Sequence, residues 1–288
     1  MAETETKKLY NGDVKIDFYP NSHRYKLIEL DGEERNQWLK SPSRIVGMKD
    51  KSGPLIWWAV NCFHEKVVEE MRDGNNFTRD DVMAMLELGK KAHTERRDKA
   101  ADVGSVIHKY AQHHADMGGV EDVKGFDDVI DFADLTEKDQ KKARSGQEAF
   151  DDWYKTTRAE TVKSEFLVYS KKHNYVGRAD ELADIDGDLY LLDFKTSKGI
   201  YPTQLYQVTA YMKAYEEEYP DKKVAGAMLV SLIKEDILDK DDNVVREAGS
   251  YKVVEMSRSD LVSAYVVFKA LKEIADRDPV FTKMLKEK

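Results

Sequence analysis

An α/β fold built on a mixed central sheet is predicted by three features of the chain. Strand and helix patterns follow one another in the order helix, three antiparallel strands, helix, strand. Two of the strands, 176–185 and 188–195, flank Asp186-Gly187, a strong two-residue hairpin signal. The second of them carries Tyr190, Leu191, Leu192 and Phe194 on both faces, as a central strand covered on both sides does.

Taken in order, residues 14–40 read as a β-meander, VKIDFYP and then HRYKLIEL, with turns at Asn21-Ser22 and Asp31-Gly32. A loop with Pro42, Gly47 and the SGP of 52–54 leads into a short helix from Pro54 to Met71. Thr78 with Asp81 three residues on is a helix-start signal, and the helix it opens runs to about Asp116. Residues 117–135 are acidic and turn-rich, which predicts a mobile surface loop. Thr136 with Asp139 opens another helix to about Lys155, followed by a strand over 162–170 and the hairpin. A helix over 202–218, strands over 224–233 and 251–256, and a helix from Ser259 with Pro279 near its end complete the chain. The expected division is an N-terminal meander and helical arm over 1–77 and an α/β core over 78–288.

Composition sets limits. Hydrophobic residues make up 41% of the 288, enough for a core, while charged residues reach 35% against about 25% in a typical domain. No apolar run approaches the ~18 residues of a membrane span, and MAETETKKLYNG lacks the apolar centre of a signal peptide. The single cysteine, Cys62, excludes an internal disulfide and a cysteine-ligated iron–sulfur cluster, and it fits a reducing cytoplasm. The net charge of -9 disfavours indiscriminate polyanion binding, and the absence of GxxxxGK[ST] argues against a nucleotide-driven motor.

The hairpin carries the chemistry. If Asp186-Gly187 is the turn, Asp180 faces Asp193 across the ladder, and like charges so placed destabilise a sheet. Lys195, two residues past Asp193, shares its face. Two carboxylates with an ammonium at their edge describe a divalent-cation site with a charged helper. The alternative, a buried Asp–Lys ion pair, leaves the second carboxylate unexplained. On the long helix, Ala101, Gly104, His108 and Ala111 form one stripe whose small members let the backbone approach a sheet and bring the imidazole near the carboxylates. A packed or solvated histidine is the competing reading. Gln204, Gln207 and Tyr211 share a helix face that either orients Lys195 and a phosphate or is merely solvated. Glu165 is either a further metal or water contact or an ordinary edge-strand glutamate.

The remaining signals are weaker. Asp239, Asp241 and Asn243 mimic a calcium loop, but Val244 and Ser250 replace its glycine and glutamate, leaving a charged hairpin connector. Lys90, Lys91, Arg96, Arg97 and Lys99 read as a solvated face or a nucleic-acid track. Adjacent Trp57 and Trp58 read as half core and half partner surface, or as base-stacking rings.

Gly177-x-x-Asp180, Asp193-Phe194-Lys195-Thr196 and Gln207-x-x-x-Tyr211, preceded by Gly104-x-x-x-His108, resemble the PD-(D/E)XK nuclease superfamily and, more narrowly, its RecB-like branch of phage-encoded and mitochondrial genome maintenance exonucleases. The resemblance covers roughly residues 100–256. It implies a restriction-endonuclease-like core, with Mg²⁺ or Mn²⁺ held by His108, Asp180 and Asp193. It also implies water orientation by Lys195, DNA contact or lysine support from Gln207 and Tyr211, and a less regular acidic position at Glu165. The implied activity is a DNA exonuclease of phage or bacterial recombination, replication or repair, working in the cytoplasm on single strands or duplex ends. A single-strand annealing or replication protein is the implied partner, with no membrane. Competing functions are a structure-selective endonuclease and an inactive DNA-binding or assembly protein of the same fold. The iron–sulfur variants of the branch need four cysteines, and this chain departs from them.

Overall fold

Alternating Val14, Ile16 and Phe18 point one face of the N-terminal sheet inward, and the structure, a computed structural model, describes residues 4–49, 52–71, 76–117, 130, 132, 135–197 and 199–287. Four antiparallel strands form that sheet in chain order: β1 (Glu5–Leu9), β2 (Val14–Tyr19), β3 (Arg24–Leu30) and β4 (Glu33–Leu39). Its inner face, with Tyr25, Leu27 and Leu39, closes on Tyr169 and Val176 of the central sheet. The sequence pattern did not announce β1, whose ETKKL is an exposed edge without apolar alternation. Next come α1 (Pro42–Val46), which buries Ile45 and Val46, and α2 (Ser52–Met71). The long α3 (Arg79–Asp116) begins at the expected capping box of Thr78 and Asp81. It packs beside α2, with Phe63 of α2 lying against Gly89. The loop expected over 117–135 lies mostly outside the described residues. Helix α4 (Glu137–Thr157) starts at Thr136, as expected.

The central sheet follows. Strands β5 (Glu160–Ser170), β6 (Tyr175–Ile185) and β7 (Asp188–Lys195) run antiparallel to their neighbours in sequence, and the turn forms where it was expected. Asp186 at φ 55° and Gly187 at φ 90° take the paired left-handed conformations of a type I′ turn. After α5 (Pro202–Glu218) comes β8 (Val224–Leu232), parallel to β7. The short β9 (Ile237–Leu238) and β10 (Val244–Arg246) form the charged hairpin, whose Asp239 carboxylate accepts the amides of Asp241 at 2.8 Å and Asn243 at 3.0 Å. Then β11 (Tyr251–Ser257) completes a sheet of order β11-β8-β7-β6-β5. Helix α6 (Arg258–Lys286) starts at Ser257 and runs through Pro279, which does not end it. The carbonyl that Pro279 leaves without its helical donor, that of Ala275, accepts instead from the Lys40 ammonium.

Strand β7 is central, as expected. On one face Leu191, Ala179 and Leu229 pack against Val208, Met212 and Tyr215 of α5 and Phe268 of α6. On the other, Leu192, Phe194 and Val230 pack against Val103 and Ile107 of α3 and Phe150 and Trp153 of α4. The fold is therefore a mixed sheet between helical layers, with an antiparallel N-terminal sheet at one end. Among the described residues no helix is long and apolar enough to cross a membrane.

Candidate active site

Strand register places three acidic residues in one row. Ser164 faces Glu181 and Phe166 faces Ala179, so Glu165 and Asp180 lie between these pairs. Glu181 opposite Leu192 is the last pair of the next ladder, which brings Asp180 beside Asp193. The ladders open at this row. Asp180 is paired in neither, and its carboxylate instead accepts the Phe194 amide at 3.0 Å. Ala179 and Leu182 belong to the same core layer although three residues apart, so strict alternation breaks across Asp180-Glu181. Glu165 sits at φ 41°, a left-handed backbone that costs about 1–3 kcal/mol for a residue with a Cβ. Irregular backbone at one row frees its side chains from the two-face rule.

Helix α3 delivers the imidazole. A Cβ added at Gly104 would lie 2.9 Å from the Thr196 hydroxyl oxygen, so the glycine lets α3 rest against the end of β7. One turn on, His108 Nδ1 stands 3.8 Å from Asp180 Oδ2. His108, Glu165 and Asp180 each offer one ligand atom, all within 4.8 Å of one another. Nitrogen and carboxylate oxygen donors in such a set suit a hard or borderline divalent cation. The expected Asp193 lies outside this trio, because its Oδ2 is held at 2.6 Å by Lys195 Nζ and has no hydrogen-bonding partner besides. The ion pair that was the competing reading of Asp193 and Lys195 is thus formed, while Asp180, left unexplained by that pair, lies beside a histidine and a glutamate.

Burial governs the electrostatics. It pushes the Glu165 carboxyl up to about 7, with Asp180 adding to the rise and Arg178 opposing it. Asp193, 2% exposed, is also raised by burial, against the pull of the Lys195 ammonium. Burial works to lower Lys195, but Asp193 and Asp180 outweigh it and leave the ammonium above its ordinary value. His108 is lowered, by burial first and by Lys195, with Asp180 pulling the other way.

Gln207 donates to the Tyr211 hydroxyl at 2.7 Å. Tyr211 is buried rather than solvated, and burial followed by the charges of Asp193 and Asp180 raises it well above the usual tyrosine value. Gly177 makes room for that ring, since a Cβ there would meet Tyr211 Cε1 at 2.5 Å and Pro42 Cδ at 2.9 Å. Trp58 packs edge-on to His93 while Trp57 is 72% exposed. Lys90, Arg96 and Arg97 are engaged by Glu87, Glu65 and Asp98, as a solvated face would be.

Arg178 was not singled out from the sequence. Its guanidinium lies 4.5 Å over Phe18 of the N-terminal sheet, with Nη1 3.9 Å from Glu165 Oε2 and Nη2 3.8 Å from Glu5 Oε2. The available signal was its position two residues before Asp180, on the same strand. Asp116, which accepts from Ser164 at 2.6 Å and adds to the rise of Glu165, left none.

A family model described as PD-(D/E)XK nuclease superfamily matches residues 83–278. No curated protein matches the chain. Among solved structures, the crystal structure of LHK-Exo in complex with dAMP is similar at 12% identity over 81% of this chain and 100% of that one. The TM-score of 0.30 makes this a loose likeness, too loose to carry an argument.

Proposed function

The chain belongs to the PD-(D/E)XK nuclease superfamily, and we propose that it is a Mg²⁺- or Mn²⁺-dependent exonuclease that hydrolyses DNA from its ends in phage or bacterial recombination, replication or repair. One observation carries the reading: an imidazole nitrogen and two carboxylate oxygens converge within 4.8 Å on the strand row that also bears Asp193 and, one step on, Lys195. His108, Glu165 and Asp180 would hold the cation, with Asp193 as a further ligand once its oxygen leaves Lys195. When bound, such a cation lowers the pKa of coordinated water and screens charge on the phosphate.

The chain's own groups do the rest. Lys195 Nζ is a buried donor that gives a hydrogen bond to a phosphate oxygen or to the attacking water, where negative charge develops. Before a cation binds, Asp193 keeps that ammonium charged and aimed. Gln207 fixes the Tyr211 hydroxyl, which lies within reach of the charges on Asp193 and Asp180. Glu165, near 7, surrenders its proton around neutral pH and so becomes available as a ligand there. Single strands are the favoured substrate, because a net charge of -9 opposes clamping of a dense duplex. Exposed Trp57 offers a stacking ring for an unpaired base.

The test is digestion of end-labelled linear and closed circular DNA, single- and double-stranded, with Mg²⁺, Mn²⁺ or EDTA. Stepwise shortening of linear single strands with survival of the circle is expected. Rapid loss of the circle identifies an endonuclease, and cleavage in EDTA or by Lys195→Ala at the native rate removes the mechanism.

A further inference from the structure

A cleft of about 620 Å³ opens where the end of β4, the β5–β6 turn and the middle of α6 meet. Its lining carries Lys40, Lys172, Lys269 and Lys272 against two acids, Glu273 and Asp276. Both acids are already committed. Asp276 is shared between Lys40, at 2.9 Å, and Lys272, while Glu273 is paired with Arg277. Lys172 and Lys269 are exposed and, among the described residues, make no ion pair. The ammonium groups converge: His173 in the cleft is lowered by burial first and then by Lys172, Lys269 and Lys272, with Glu217 opposing. In a chain of net charge -9 this is a local reversal of sign. Trp38 lines the same cleft, 46% exposed, with the Arg24 guanidinium 4.0 Å and the Lys26 ammonium 5.9 Å from its ring.

Nothing in the catalytic row uses this cleft. Asn174 on its rim and Asp180 are six residues apart along extended chain, or roughly 20 Å. Unpaired ammonium groups suit phosphates, and a half-exposed indole suits a base freed from its pair. We propose that the cleft is a second DNA-binding site that holds a single-stranded stretch of the substrate, its phosphates against Lys172 and Lys269 and a base against Trp38. The identity of the occupant rests on the nuclease reading; the charge and ring chemistry do not. An acidic peptide would satisfy the lysines but make no use of the part of the Trp38 ring that Arg24 and Tyr19 leave exposed.

The experiment measures binding apart from cleavage. Full-length protein in EDTA is titrated with a fluorescein-labelled 30-mer of thymidylate across a salt series. Lys172→Gln with Lys269→Gln is expected to lower the slope of log affinity against log salt by about 1.4, at ~0.7 per phosphate contact. Trp38→Ala is expected to weaken binding on the order of tenfold at fixed salt, and Trp38→Phe to retain most of it. Unchanged slope and affinity overturn the proposal. A glutamate-rich peptide that binds more tightly than the 30-mer, and only when both lysines are present, overturns it in favour of a protein ligand. Failure of wild-type cleavage with the slope difference intact would instead sink the nuclease reading and leave the cleft standing.

Discussion

Replacing Lys195 by methionine keeps the length of the side chain and removes the one charge that compensates Asp193. That carboxyl is 2% exposed, and its Oδ2 has only the Lys195 ammonium, at 2.6 Å, as partner. Removing one member of a buried ion pair strands the other, at a cost of about 3–5 kcal/mol. For a chain of this size that is a fall in melting temperature on the order of 10 °C at pH 8. The cost depends on pH in a definite direction. With the lysine gone, the remaining influences on Asp193, burial and Asp180, both raise its pKa. The folded variant then keeps a proton that the unfolded chain loses above about pH 3.9. Its stability is intact below that value and falls as pH rises through the folded pKa, by up to about 1.4 kcal/mol per pH unit. Urea denaturation of both proteins in EDTA at pH 5, 6.5 and 8 should show the gap widening with pH. Asp193→Leu with Lys195→Met should close it to within about 1 kcal/mol, since a buried pair is replaceable by apolar groups of similar volume. A Lys195→Met protein as stable as the native one at pH 8 refutes the reasoning.

Three further outcomes are expected. Mn²⁺ should raise the melting temperature of the native protein by mass action, and Asp180→Asn or His108→Ala should abolish most of the shift, whereas shifts of native size in both variants would disprove the trio as the cation site. Glu165, raised to about 7 by burial and Asp180, should make cation-free stability fall between about pH 4.3 and 7; a Glu165→Gln variant should lose that segment of the pH–stability curve, and superimposable curves would contradict it. Gly177→Ala should cost about 1–3 kcal/mol through collision with Tyr211 and Pro42 and lower cleavage with it, while Gly187→Ala, strained at φ 90° with open space around it, should cost about 1 kcal/mol and leave cleavage intact.

The local parts of the site were legible because local rules decide them. Asp186-Gly187 fixed the β6–β7 register through its demand for two positive φ values, and Thr78 with Asp81 fixed the start of the helix that carries His108. The stripe of Gly104 and His108 was legible as a close approach, though not its partner Thr196. Alternation alone, however, predicts a regular ladder through Asp180, and the ladder opens there. What opens it is a side chain competing for a backbone amide, together with a strained Glu165, and neither leaves a period in the sequence. For the same reason the cluster that could hold a cation contains Glu165 while Asp193 stays with Lys195. Arg178 depends on Phe18, 160 positions away in sequence, so no short window could have found it. The N-terminal edge strand was invisible because a polar edge has no alternation to read.

Helix α3 extends unequally on the two sides of Gly104. From Gly104, where the helix bears on the end of β7, His108 is four residues away and Arg79 twenty-five, or about 6 Å and about 37 Å along the axis. A rigid rod pivoting there converts a 6 Å sweep of its far tip into roughly 1 Å at the imidazole. The long arm is flanked by α2, whose first turns, with the exposed Trp57, lie beside His93 about midway along it. A load at the far end of such a rod would therefore reach His108 reduced in travel and multiplied in strength, so that a coarse displacement of the arm would become a fine adjustment of the imidazole.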